Sequence, residues 1–162
     1  PFAKHPMAFL AAPNHPLMAG PRATMAMLSD QRILVRERGS GTRSTIERLF
    51  KDAGLPLRIG SELSSNEAIK HMCAAGFGVA FLSMHTCVLE LRAGVLALLP
   101  MDHNPIERDW HVMHLASRQL PQVALAFEKF LCTRGQAEIA RQRGDAPASP
   151  RPRKTRRAAA RA

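Results

Sequence analysis

With 162 residues, 46% of them apolar, and a net charge of +10, the chain has the composition of one globular domain with its own core rather than of a disordered protein. No apolar run approaches the roughly 20 residues of a membrane-spanning helix, and no secretory signal peptide opens the sequence. The three cysteines are far apart and form no CxxC pair, which is typical of reduced thiols. We therefore expect a cytoplasmic protein without a membrane contact.

The first part of the chain alternates strand and helix signals. An apolar run at 7–12 predicts a strand, and a short helical turn is expected near 25–28. An apolar, partly β-branched run at 33–35 predicts a buried strand at 32–37, which leads through small residues into a helix from about 41 to 53. Gly54 and a following proline end that helix.

The same alternation continues beyond the first helix. Residues 58–63 predict a strand, residues 64–67 open a second helix, and a glycine turn at 76–78 leads into an apolar strand at 79–82. A short helix at 84–91 and strands at 94–100 and 110–116 are expected next. The last helix begins at Pro121 and is predicted to direct four apolar side chains inward: Val123, Phe127, Phe130 and Leu131.

Positive charge is concentrated at the end of the chain. Residues 144–162 contain six Lys/Arg and one acid in a Pro/Ala/Arg-rich, low-complexity segment. We expect this segment to be disordered. A weak, salt-sensitive contact with DNA phosphates is the alternative to a merely solvated extension.

Alternating strands and helices predict an α/β fold with a largely parallel sheet. Such sheets bind ligands at the carboxyl ends of their strands. The helix openings at 40–43 and 64–66 both follow strands, so they fall at that edge. Because a helix start offers unpaired N–H groups and the positive end of the helix dipole, the pair predicts a site for a small anion. Two ordinary capped helix starts without a ligand remain the alternative.

Catalytic and metal motifs are weak in this sequence. There is no P-loop, and Arg38 occupies the position where a GxSxG nucleophile elbow would need glycine. His111 and His114 would lie on opposite faces of an extended strand, which disfavours chelation. We therefore expect no enzyme, no metal and no cofactor, although a catalytic set of dispersed residues stays open.

Five segments, in order along the chain, resemble the effector-binding domain of LysR-type transcriptional regulators. The likeness is greatest to the branch that controls Calvin-cycle, or RuBisCO, operons. The segments are 14–17 (NHPL), 36–43 (RERGSGTR), 62–70 (ELSSNEAIK), 75–83 (AGFGVAFLS) and 105–110 (PIERDW).

The resemblance implies a periplasmic-binding-protein type 2-like α/β fold of two lobes with an effector in the cleft between them. Residues 1–17 would cross over from the first lobe, 18–102 would form a complete second lobe, and 103–132 would return to a partial first lobe. Residues 133–162 would add a helical extension and the basic tail. The partial first lobe is expected to expose apolar surface.

The resemblance also implies the site residues and the partners. Ser40, Gly41 and Thr42 would face the cleft, Ser65 would add a polar contact with Asn66 beside it, and Arg43 would be the nearest fixed positive charge. The effector would be a small anionic metabolite. DNA would be bound through an N-terminal helix-turn-helix that this sequence does not contain, in a homodimer or tetramer. An exported solute-binding protein of the same fold, and an enzyme, are the rival hypotheses.

Overall fold

The structure, a computed structural model, describes residues 1–143. The strands are β1 (Ala3–Lys4), β2 (Met7–Ala11), β3 (Ile33–Arg36), β4 (Ile59–Leu63), β5 (Val79–Ser83), β6 (Ala97–Leu98) and β7 (Asp109–Trp110). The α-helices are α1 (Pro16–Ala19), α2 (Met25–Ser29), α3 (Gly41–Asp52), α4 (Asn66–Ala74), α5 (Val88–Arg92), α6 (Gln122–Phe130) and α7 (Gln136–Arg143). A 3-10 helix (Met84–Thr86) precedes α5, and a π-helix (Leu131–Gly135) joins α6 to α7.

Five strands form one mixed sheet in the order β4-β3-β5-β2-β6. Strand β3 is parallel to β4 and to β5, whereas β2 is antiparallel to both of its neighbours, β5 and β6. The predicted largely parallel sheet is therefore confirmed with one reversed strand. The reversal arises because β2 enters the sheet at the edge where β3 and β5 end, pairing Met7 with Ser83.

Helices cover both faces of this sheet, because alternate strand side chains point to opposite sides. On one face, Phe9 and Phe81 pack with Phe50 of α3, and the Phe9 and Phe81 ring centroids lie 4.8 Å apart. On the other face, Leu10 and Leu34 pack with Ile69 of α4. The sheet is thus held between two apolar layers, which fix the carboxyl ends of its strands in position.

The elements predicted up to residue 92 agree with the structure, although β1 and α1 were missed and the predicted 84–91 helix divides into a 3-10 turn and α5. The later strand predictions were too long. Only Ala97–Leu98 of 94–100 and only Asp109–Trp110 near 110–116 are strand. Each of these two strands pairs with only one other strand, so fewer backbone hydrogen bonds are available to lengthen it.

The predicted inward face of the last helix is wrong. Val123, Phe127 and Phe130 are 76%, 60% and 41% exposed, while Leu131 is partly buried. Within residues 1–143 the main contacts of α6 are with the π-helix that follows it, so no strand covers its apolar side. Met113 and Leu115 are exposed as well. Apolar side chains between residues 113 and 130 are therefore exposed, while the division of the chain into lobes stays a prediction.

Two further sequence predictions concern the basic tail and the absence of a membrane-spanning helix. The predicted disordered tail at 144–162 lies outside the described residues. In the part of the chain that the structure describes, no helix combines the length and the apolar character needed to cross a membrane.

Candidate functional site

The start of α3 lies where β3 ends, at the carboxyl edge of the sheet. Gly39 turns the chain there with a φ of +91°, a left-handed conformation that L side chains rarely adopt. Ser40 occupies the N-cap position, but its hydroxyl makes no capping hydrogen bond. The first N–H groups of α3, beginning at Gly41 and Thr42, consequently have no partner within the helix. The unpaired N–H groups and the positive end of the helix dipole both favour binding of an anion at this helix start.

The start of α4 lies at the end of the neighbouring strand β4. Ser65 is exposed, and its hydroxyl accepts a long hydrogen bond from the Ala68 N–H at 3.5 Å. The Asn66 side-chain oxygen accepts a 2.7 Å hydrogen bond from Arg36 Nη1 at the end of β3. The structure therefore brings the two predicted helix starts to one edge, with Arg36 linking them.

Arg43 is buried beneath this edge, and its side chain is 4% exposed. Its guanidinium donates to Glu47 at 2.5 Å, to Glu62 at 3.2 Å and to the Arg36 carbonyl at 3.1 Å. These contacts join α3, β4 and the end of β3. They also balance the charge of Arg43 with two carboxylates, so the side chain is well placed to hold the α3 start in position.

Arg108 is a residue of this edge to which sequence reasoning gave no role. Its Nη1 donates to Thr45 Oγ1 at 2.5 Å, and the Thr45 hydroxyl donates to the Gly41 carbonyl at 2.7 Å. Arg108 thereby reaches from the returning chain to the first turn of α3. The signal for it was the single arginine of the 105–110 segment (PIERDW), but only the fold brings that segment to α3.

Four rings stack beside the segments that carry the chain into and out of the sheet. These segments, residues 1–6 and 105–110, are called the crossover segments. Trp110 lies 4.5 Å from His5, 4.7 Å from His85 and 6.1 Å from Phe2 between ring centroids. Burial, together with the nearby charges of His85 and Arg108, lowers the pKa of His5 to about 4. His5 is therefore neutral in the folded protein at neutral pH.

The depressed pKa of His5 makes the stability depend on pH. In the unfolded chain the His5 imidazole is protonated as the pH falls below 6.5, whereas in the folded chain it is protonated only near pH 4. We expect the free energy of unfolding to fall as the pH drops from 6.5 towards 4. Urea unfolding across this pH range should show that the free energy of unfolding falls less for His5→Gln than for the wild type. His103→Asn, at an exposed turn, is the control; equal slopes for wild type and His5→Gln would contradict the prediction.

A cavity of about 280 Å³ lies between α5 and α7, lined among others by His85, Trp110 and Ile139. None of the predicted site residues lines it. Within residues 1–143 no group of three or more His, Cys, Asp or Glu is arranged to hold a metal ion.

The mixed five-stranded sheet, with two crossover segments at its carboxyl edge, defines an α/β effector-binding domain of the periplasmic-binding-protein type 2 class. Residues 1–135 match the model of the LysR substrate binding domain. The chain therefore belongs to the LysR substrate-binding domain family.

The relatives of this chain are transcriptional regulators by name, and one is named for the RuBisCO operon. The chain is 40% identical over 131 residues to the HTH-type transcriptional regulator CfxR of Cupriavidus necator, covering 81% of this chain and 41% of that protein. It is 37% identical over 131 residues to the RuBisCO operon transcriptional regulator of Allochromatium vinosum, covering 80% and 43%. The chain thus spans about two fifths of the length of these relatives.

Solved structures give the same fold. The regulatory domain of Synechocystis PCC6803 CcmR in complex with 2-PG superposes with a TM-score of 0.75 at 38% identity, covering 82% of this chain and 64% of that one. The effector binding domain of QuiR in complex with shikimate has a TM-score of 0.71 at 19% identity, covering 83% and 63%. The second likeness concerns the fold alone.

Proposed function

We propose that the chain is the effector-sensing part of a LysR-type transcriptional regulator of carbon-fixation genes. It binds a small anionic metabolite at the carboxyl edge of the five-stranded sheet, between the starts of α3 and α4 and the facing lobe. Ser40, Gly41, Thr42, Ser65 and Asn66 contact the effector, and Arg43 holds the α3 start in place. The observation that carries this proposal is the uncapped start of α3, where Ser40 leaves the first N–H groups without a side-chain partner.

The chemistry of that helix start favours a phosphate or carboxylate ligand. Backbone N–H groups and the positive dipole end both stabilise negative charge. The 2-PG bound in the CcmR regulatory domain, 2-phosphoglycolate, carries both kinds of anionic group. At 38% identity to that domain, this chain is proposed to take the same class of ligand, a small phosphorylated acid.

Regulation then requires that the effector favour one arrangement of the lobes over another. A ligand shifts such an equilibrium only by its difference in affinity for the two states. A metabolite held between α3, α4 and the facing lobe contacts both sides of the cleft and so stabilises the closed arrangement. We propose that closure alters contacts between subunits of a homodimer or tetramer bound to DNA in the cytoplasm.

Alanine at Thr42 or Ser65 is expected to weaken binding of 2-phosphoglycolate about 5- to 10-fold, since each change removes one hydroxyl partner of about 1 kcal/mol. Isothermal titration calorimetry of the full-length protein measures this, and DNA affinity without effector should stay unchanged. Ser44→Ala is the matched control, because its hydroxyl bonds to the Ser40 carbonyl within α3. Unaltered affinity in both test variants would contradict the site assignment.

A further inference from the structure

Arg108 lies on the face of the crossover pair that looks onto the carboxyl edge of the sheet. The two crossover segments run antiparallel, with Met7 opposite Ile106 and Ala3 opposite Trp110. Between these pairs, His5 and Arg108 exchange backbone hydrogen bonds of 2.7 and 3.3 Å. Side chains two residues apart on an extended segment point to the same face. Arg108 therefore shares a face with Ile106, which packs on the core, and from there its side chain reaches Thr45 of α3.

The crossover that carries Arg108 is fixed to the sheet. The side-chain amide of Asn104 donates to the Phe9 carbonyl at 3.1 Å and to the Leu99 carbonyl at 2.9 Å, and its oxygen accepts from the Phe9 N–H at 3.0 Å. The backbone pairing with His5 continues this attachment. The guanidinium of Arg108 is thus presented from a well-anchored segment.

The positive charges at this edge differ in what balances them. Arg36 donates two hydrogen bonds to the Glu37 carboxylate, and Arg43 is held by Glu47 and Glu62. Among the described residues, the side chain of Arg108 bonds only to the neutral Thr45 hydroxyl and forms no ion pair with a carboxylate. It is also exposed to solvent. Arg38, in the turn before α3, is also exposed and has no ion pair among the described residues. Arg108 differs from it because the Thr45 hydroxyl holds its guanidinium beside α3, so its charge is both free of a carboxylate and fixed in position.

We propose that Arg108 supplies the positive charge that binds the anionic group of the effector and selects phosphorylated ligands over uncharged or weakly charged ones. This inference rests on the proposed function. A guanidinium presents five N–H donors in a planar fork suited to phosphate, and the Thr45 bond uses only one of them. An anion at the α3 start is thereby held from two sides, by the backbone of lobe two and by a side chain of the crossover.

Calorimetric titration of the full-length protein with 2-phosphoglycolate and with glycolate tests the inference. Arg108→Gln is expected to weaken 2-phosphoglycolate binding tenfold or more, about the effect of one charged hydrogen bond, and to change glycolate binding much less. Arg108→Lys, which keeps the charge, should recover part of the loss. Arg58→Gln removes the same charge at the opposite edge of the sheet, before β4, and should leave both affinities unchanged.

Thr45→Val separates charge from scaffolding, because it removes the hydrogen bond that Arg108 donates but leaves the guanidinium. It should weaken 2-phosphoglycolate binding less than twofold. A loss as large as that of Arg108→Gln would assign Arg108 a purely structural role and overturn the inference. Full affinity in Arg108→Gln, with a wild type that binds, would overturn it while leaving the proposed function intact. A wild type that binds neither 2-phosphoglycolate nor inorganic phosphate would overturn both.

Discussion

Lys70→Met is expected to lower the free energy of unfolding by about 3–5 kcal/mol, because it leaves a buried carboxylate without its partner. The Lys70 side chain is 6% exposed and donates to Glu90 at 2.7 Å and to the Thr86 carbonyl at 3.0 Å. Glu90 is 17% exposed, and its Oε2 atom has no hydrogen-bond partner. The remaining carboxylate therefore loses its main compensation for burial. Urea unfolding measures the change.

A double-mutant cycle separates this cost from general loss of packing. Glu90→Leu alone should also destabilise, less strongly because the exposed Glu67 still contacts Lys70 at 2.8 Å. The variant carrying both Lys70→Met and Glu90→Leu should recover most of the stability, since apolar residues replace the whole pair. Simple addition of the two single losses would contradict this explanation.

The same pair has a defined pH dependence. Burial works to raise the pKa of Glu90, but the hydrogen bond and charge of Lys70 outweigh it and hold that pKa below its usual range. Burial works to lower the pKa of Lys70, but the hydrogen bonds of Glu67 and Glu90 hold it above 10.5. The contribution of the Lys70–Glu90 pair to the free energy of unfolding is therefore complete at neutral pH. It is lost as the pH falls through the folded pKa of Glu90, or rises through that of Lys70.

Gly78→Ala is expected to cost about 3 kcal/mol, because the new methyl group has no room. A Cβ built at Gly78 would lie 2.3 Å from the Arg32 carbonyl oxygen, a backbone atom that cannot rotate away. That carbonyl also accepts the hydrogen bond of the Val79 N–H at 2.9 Å, which begins β5 beside β3. Relieving the clash therefore disturbs the centre of the sheet.

Thermal or urea unfolding checks the Gly78 prediction against Gly20→Ala. At Gly20 nothing lies within 4 Å of an added Cβ, so the stability should change by about 0.5 kcal/mol or less. A Gly78→Ala protein as stable as the Gly20→Ala protein would show that β3 and β5 can separate without cost.

The elements between residues 33 and 83 could be predicted because the local sequence contains both an apolar run for each element and a signal for where it begins or ends. The run at 33–35 is apolar for a buried strand, and the small residues after it open α3; Gly54 then ends that helix with a φ of +66°. The reversed direction of β2 has no such local signal. It depends on pairing with β5 and β6, which lie far along the chain, and apolar strands of either direction look alike.

The last helix illustrates the opposite case. Its apolar spacing predicts a buried face, and that prediction is wrong because burial also requires a surface to pack against. Val123 and Phe127 are exposed because, among the described residues, no strand packs closely on α6, whose main contacts are with the following π-helix. A periodic pattern reports which side would be buried, not whether a partner covers it.

The candidate site was predictable as a location more than as a set of contacts. Helix starts after strands meet at one edge by topology, and the α3 and α4 starts do so. The direct roles of Ser40, Thr42 and Ser65 stay predictions. The Arg43–Glu47 pair is an i,i+4 pair within α3, whereas the contacts of Arg43 with Glu62 and of Arg108 with Thr45 join residues far apart in the chain. Side-chain pairing of that kind depends on tertiary packing and leaves no local pattern.

A crystal structure of the full-length protein with 2-phosphoglycolate tests the central claim most directly. Our account predicts an anionic group of the ligand within about 3 Å of the backbone nitrogens at the start of α3, at Gly41 and Thr42. A ligand bound instead in the cavity beside Trp110, between α5 and α7, would contradict it.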